Sequence, residues 1–179
     1  LVALGLVEAH EYDTGEGVRR AFSPRWRVKE TWYWEQVFPA GRDLVVEHEY
    51  TPAVGGSIDS LLALRDLREL PENRGYFADF CVEPSFVAAV DRLLDRARTD
   101  RPIVLSERRV RYVLTTGANW ASPIGEFRLV VDKGSPDNLV SFCGSGLRRI
   151  SPTQFEMRRR DWRPDRDLAV LIVVPYRPE

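Results

Sequence analysis

Long apolar runs, lysine, histidine, cysteine and any bias of charge are all scarce in this 179-residue chain. The longest apolar run, Leu168 to Pro175, falls well short of the roughly 18 residues that a membrane helix needs. The chain therefore offers no membrane span, and the run reads as a buried strand. A formal net charge of -1 gives no bulk attraction for polyanions, so nucleic acid is not an expected partner. Two cysteines and two histidines, His10 and His48, show no short ligand spacing. No metal, cofactor or catalytic residue is assigned, because no stretch rises to a recognisable ligand or catalytic motif.

What is present is a globular composition, 44% hydrophobic and 30% charged, in a length that fits one domain with a sizeable core. Lys29 and Lys133 are the only lysines, so the positive charge is almost all arginine. At the start, Leu1 to Leu6 reads as the last turn of a helix ending near Gly5, as if a longer protein preceded it.

Trp26 to Pro52 is the most aromatic stretch. Trp26, Val28, Trp32, Trp34 and Phe38 alternate along one strand face, and Leu44, Val46, His48 and Tyr50 along one face of a second. A loop at 39 to 41, with Gly41 at positive φ, predicts a hairpin pairing Trp34 with Val46 and Trp32 with His48. That register turns the tryptophans and His48 toward a core. It sets Glu47 and Glu49 on the opposite face, leaving Glu30 as the nearer partner for the imidazole.

Further on, Asp59 to Leu70 predicts a short helix stopped by Pro71. Pro84 opens a clearer one, in which Phe86, Val90, Leu93, Leu94 and Ala97 trace one stripe. From Glu107 the chain alternates strand and turn, with strands around Val110–Leu114, Phe127–Val131, Leu139–Cys143, Gln154–Arg158 and Leu168–Val174. The last is apolar on both faces and so central. The fold class is α+β: mainly antiparallel sheet or sandwich with one or two helices packed on it, residues 1–179 forming a single strand-rich domain.

The cysteines, Cys81 and Cys143, leave open a pair of buried reduced thiols or one bridge. A Cys–His nucleophile, a zinc site drawing in both histidines, and calcium at Asp132, Asp137 and Asn138 are weaker readings of the same scattered residues. Tyr33, on the polar strand face, and Asn119 with Trp120, in a loop, are the candidate binding surface, although a tucked-in anchor is the ordinary role of such a tryptophan. Arg158, Arg159 and Arg160 form the densest basic cluster; a charge-protected edge strand is the usual meaning, and an envelope-lipid or polyanion contact the alternative.

The run Thr115 to Gly134, with Tyr33 to Gly41, Val140 to Gly144 and Ile150 to Glu156, resembles an exported bacterial family known only as domain of unknown function 4424. In that family this stretch resembles the C-terminal part of a longer protein with a signal peptide. The resemblance implies a periplasmic or cell-envelope location and thereby favours a Cys81–Cys143 disulfide. It supplies no activity or functional residue. The expectation that follows is a non-catalytic binding or structural module whose partner is an unknown protein or envelope component. A hydrolase-like enzyme is the alternative, with loop residues such as Asp79, Glu83 and Asp132 or a site completed by a missing N-terminal half.

Overall fold

A computed structural model describes residues 1–26, 31, 33–97 and 103–177. The chain divides into two compact units, Leu1–Glu49 and Tyr50–Glu179.

In the first unit, β1 (Val7–Asp13) and β2 (Val18–Pro24) form an antiparallel ribbon running from Val7 opposite Pro24 to Asp13 opposite Val18. Asp13 caps its turn by accepting from the Gly15 amide. Gly5 does take a positive φ, but it closes a hydrogen-bonded turn rather than a helix. The expected aromatic hairpin does not form a ladder: no strand occurs among the described residues of 31–50. Gly41 has the predicted positive φ. The Trp34 and His48 rings meet tilted by 57° with centroids 4.7 Å apart, no strand ladder pairs Trp34 with Val46, and the Trp32 pairing falls outside the described residues. Trp26, Trp34 and Val46 are exposed, not inward. A two-stranded ribbon without a second layer to cover it is marginal, and period-two alternation alone supplies no such layer.

The second unit has three layers. One sheet has the order β3-β4-β9-β6, from β3 (Gly55–Ser57), β4 (Val104–Tyr112), β9 (Leu168–Tyr176) and β6 (Leu139–Phe142). The other has the order β5-β8-β7, from β5 (Ile124–Asp132), β8 (Gln154–Trp162) and β7 (Arg148–Arg149). Every pairing is antiparallel. As its apolar sequence demands, β9 lies between β4 and β6 and feeds two cores. Ala169, Leu171 and Val173 pack with Leu62, Phe80, Val90 and Leu105 under the helices. Leu168, Val170 and Ile172 pack with Leu129, Val131 and Phe155 of the second sheet.

Helix α2 (Pro84–Ala97) begins where Pro84 predicts, and Phe86, Val90, Leu93 and Leu94 form its buried stripe. The expected helix over 59–70 is instead a chain of 3-10 turns at 61–63, 65–67 and 71–73, followed by a short α1 (Arg74–Asp79). Pro71 opens the last of these turns rather than ending a helix, because its missing N–H costs nothing in a first turn.

Candidate functional site

On β8 the side chains alternate, so Glu156, Arg158 and Arg160 share the outer face while Phe155 and Met157 face the core. Registration with β5 sets Arg128 opposite Arg158 and Glu126 opposite Arg160, and β7 sets Arg148 opposite Glu156. Two arginines directly across a ladder repel. Glu156 compensates: its carboxylate accepts from Arg128 Nε at 2.7 Å, Arg148 Nη2 at 2.7 Å and Arg158 Nη2 at 3.1 Å. Hydrogen bonds from Arg158, Arg128 and Arg148 hold its pKa down at about 2. The carboxylate side chain is 4% exposed, whereas Arg128, Arg148 and Arg158 are 53–71% exposed. The geometry is a set of guanidinium groups fixed from beneath and open to solvent from above. Because β8 is the middle strand of its sheet, the reading of the arginine run as an edge strand is corrected. The cluster does not shield an edge; it covers a face.

The third arginine of the run, Arg159, takes the other face and bonds Ser145 Oγ. It lines a cleft of about 330 Å³ with Trp162, Met157, Arg166 and both cysteines. Cys81 and Cys143 are joined in a disulfide across 62 residues of sequence, which ties the chain just after α1 to the end of β6. That bond removes the reduced-thiol, Cys–His and Cys₂His₂ readings from this form of the chain.

The hydroxyl network near β4 resembles a catalytic cluster but is a closed knot. Glu107, whose side chain is 0% exposed, accepts from Ser60 Oγ at 2.6 Å, Tyr76 OH at 2.8 Å and Arg109 Nε at 2.9 Å. Ser60 Oγ in turn caps the first 3-10 turn by accepting from the Leu62 amide. Burial, together with the Glu107 charge, pushes the Tyr76 hydroxyl well above the ordinary tyrosine range. A buried carboxylate needs such donors, and both carboxylate oxygens of Glu107 are taken by them.

The Asp132–Asn138 turn gathers oxygens, as expected, but around the chain's own cation. Lys133 Nζ donates to the carbonyls of Pro136 and Asn138, and Asn138 Nδ2 returns a bond to the Lys133 carbonyl. Burial lowers the Lys133 pKa. Asp132 points elsewhere, accepting from the Gly134 amide and Gln154 Nε2, and these bonds lower its pKa. No cluster of three or more His, Cys, Asp or Glu suited to a metal occurs among the described residues.

The remaining candidates are separated. Asp79 ends α1 and pairs with Arg111 at 2.8 Å, while Glu83 precedes α2 and Asp132 ends β5, so the three belong to three different elements. Tyr33 is 90% exposed in the first unit. Trp120, in the second, is 61% exposed rather than tucked in, beside exposed Asn119. Arg163 explains why: its guanidinium bonds the carbonyls of Ala118 and Trp120, holding the loop by its backbone and leaving the indole outside.

Sequence reasoning missed Glu156 as the organiser of the arginines. The alternation Glu156-x-Arg158-x-Arg160 places them on one face, but Arg128 and Arg148 join only through pairing. The chain matches the family model described as a domain of unknown function (DUF4424) over residues 1–171. No curated protein and no solved structure gives a significant match.

Proposed function

The chain belongs to this family of unknown function, and we propose that it is an exported, non-catalytic binding module of the periplasm or cell envelope. Its contact surface is the arginine face of β5, β8 and β7, and its partner is an anionic envelope component. The observation that carries this reading is Glu156, a buried carboxylate holding three solvent-facing guanidiniums on a rigid sheet. Each arginine bonds Glu156 through one nitrogen, and Arg158 also meets Glu126 through Nη1 at 3.5 Å. The remaining N–H groups, chiefly those of Arg128 and Arg148, can meet phosphate or carboxylate oxygens in the paired geometry that favours arginine over lysine. The Cys81–Cys143 crosslink supports an oxidising compartment. Asn119 with Trp120, and separately Tyr33, are exposed side chains for further contacts.

Sedimentation of the full chain with phospholipid vesicles tests the surface. Anionic vesicles are expected to carry the protein down, with recovery falling as salt rises; zwitterionic vesicles are not. The double variant Arg148→Gln/Arg160→Gln leaves Glu156 two partners and should lose the binding. Equal recovery of variant and parent would refute the surface. Fractionation of cells making the full-length precursor tests export, and a cytosolic pool alone would refute that part.

A further inference from the structure

The two sulfurs of the Cys81–Cys143 bond have unlike surroundings. Arg166 Nη1 lies 3.5 Å from Cys81 Sγ, which is 3.9 Å from the Ala78 carbonyl oxygen. Cys143 Sγ has no guanidinium partner among the described residues and lies closer to carbonyls, 3.5 Å from that of Asp79 and 3.6 Å from that of Ala78. A guanidinium favours a thiolate. A carbonyl oxygen is an acceptor, so it favours a protonated thiol that can donate to it. Neither interaction does much for a disulfide, which bears no charge and has no hydrogen to donate. Both become favourable when the bond opens. Of the other charges, Asp167 accepts from the Leu114 and Thr115 amides, Asp79 pairs with Arg111 and Arg159 bonds Ser145, while Asp165 lines the cleft as an exposed carboxylate next to Arg166 in sequence. Arg166 is exposed, and the sulfur is its one hydrogen-bond partner among the described residues. Cys81 also holds φ at 48°, in the left-handed region that favours glycine.

We propose that Cys81–Cys143 is a thiol-exchange site that accepts two electrons from a dithiol substrate bound in the cleft beside Trp162 and Met157. A substrate thiolate attacks Cys143 Sγ, and its electron pair forms the mixed disulfide. The Cys81–Cys143 bond breaks, and its electron pair leaves on Cys81 Sγ beside Arg166, since the sulfur better stabilised as thiolate leaves faster. The second substrate thiol, after losing its proton, attacks the substrate sulfur of the mixed disulfide and closes the substrate's own disulfide. Cys143 is released and takes up a proton, which it directs to the Asp79 carbonyl. The dithiol is oxidised by two electrons and the chain reduced by two; one of the substrate's two protons ends on Cys143 and the other in solvent. This chemistry does not depend on the arginine face binding anything.

The test equilibrates the full chain with graded ratios of reduced and oxidised dithiothreitol, traps free thiols by alkylation and counts them by mass. Arg166→Met should shift the equilibrium about tenfold toward the disulfide, equivalent to about 30 mV for a two-electron couple. Arg166→Lys, which keeps the charge, should restore most of it. The reduced parent should remain folded, with a urea midpoint at or above that of the disulfide form. The proposal is overturned if Arg166→Met leaves the equilibrium within about twofold of the parent, or if reduction lowers the urea midpoint, as loss of a purely structural crosslink would.

Discussion

Each of the two larger sheets carries one buried glutamate, and the two are satisfied by different chemistry. Glu107 on β4 faces the helical layer and is closed over by Ser60, Tyr76 and Arg109. Glu156 on β8 faces outward and is roofed by Arg128, Arg148 and Arg158. In the first case two neutral hydroxyls and one guanidinium bring the donors, and the charge is sealed inside. In the second, three cations surround one anion, and the surplus positive charge is displayed to solvent. A buried carboxylate is thus a structural pin in one sheet and a template for a surface in the other.

The sharpest way to break the comparison is to remove the sealed carboxylate. Glu107→Ala leaves the Ser60 and Tyr76 hydroxyls without their acceptor, while Arg109, 37% exposed, keeps Ser57 and solvent. Each stranded hydroxyl should cost about 1–3 kcal/mol, read as a lowered urea midpoint. Tyr76→Phe deletes one donor and should cost about 1–2 kcal/mol. Neither should alter vesicle binding. A Glu107→Ala chain as stable as the parent would show that the knot is not a pin.

Acid separates the two sheets next. Glu156 has a folded pKa of about 2, against an ordinary value of 4.5. A depressed carboxylate pKa means that the stabilisation is fully present above about pH 4.5 and is lost as the pH falls toward 2. Asp167, lowered by the amide and hydroxyl of Thr115 and the Leu114 amide, acts in the same direction. Glu156→Gln removes one of these contributions. The difference in urea midpoint between parent and variant should therefore be greatest above pH 5 and shrink steadily on acidification. A difference that is flat across that window would contradict the arginine roof.

How much of this contrast is legible in the chain depends on which contacts are local. The alternation in β8 and β9 and the stripe of α2 place Phe155, Leu171 and Val90 correctly, because the period of a strand or helix is written in consecutive residues. The α+β class and the antiparallel sheets follow from that pattern. The disulfide follows from family resemblance, not from spacing. Nothing local marks Glu107 or Glu156, since Ser60 is 47 residues from Glu107 and Arg128 is 28 from Glu156, and only the fold brings them together. The aromatic segment fails for the converse reason. Trp34 and Val46 have the alternation of core strands, yet in Leu1–Glu49 the β1–β2 ribbon is the only sheet among the described residues. Alternation states which residues share a face; burial of that face needs another layer.

The subtler test separates charge from positioning on the outer face. Glu156→Gln raises the net charge of the patch by one, so a purely Coulombic surface would bind anionic vesicles more tightly. If the guanidiniums work because the carboxylate fixes them, binding should weaken instead, since three arginines without their common anchor repel one another and lose their shared orientation. A rise in affinity would refute the positioning role while leaving the charge itself implicated.

Arg148→Gln gives the smallest effect on stability and the most selective effect on the surface. Its side chain is 71% exposed, and Glu156 retains Arg128 and Arg158 when it is gone. The stability change should stay within about 0.5 kcal/mol, the range of ordinary surface substitutions. Glu156 is buried but keeps two guanidinium donors, and most of the Arg148 side chain lies in solvent, so the loss of one of three bonds costs little. The same substitution removes one of the N–H forks offered to an anion. A surface with one fewer bond to phosphate should bind more weakly and depend less steeply on salt. Vesicle sedimentation of Arg148→Gln over a salt series, beside its urea midpoint, therefore asks whether this arginine stabilises the sheet or the complex. Unchanged stability with a shallower salt dependence assigns Arg148 to the partner; a lowered midpoint with unchanged sedimentation assigns it to Glu156.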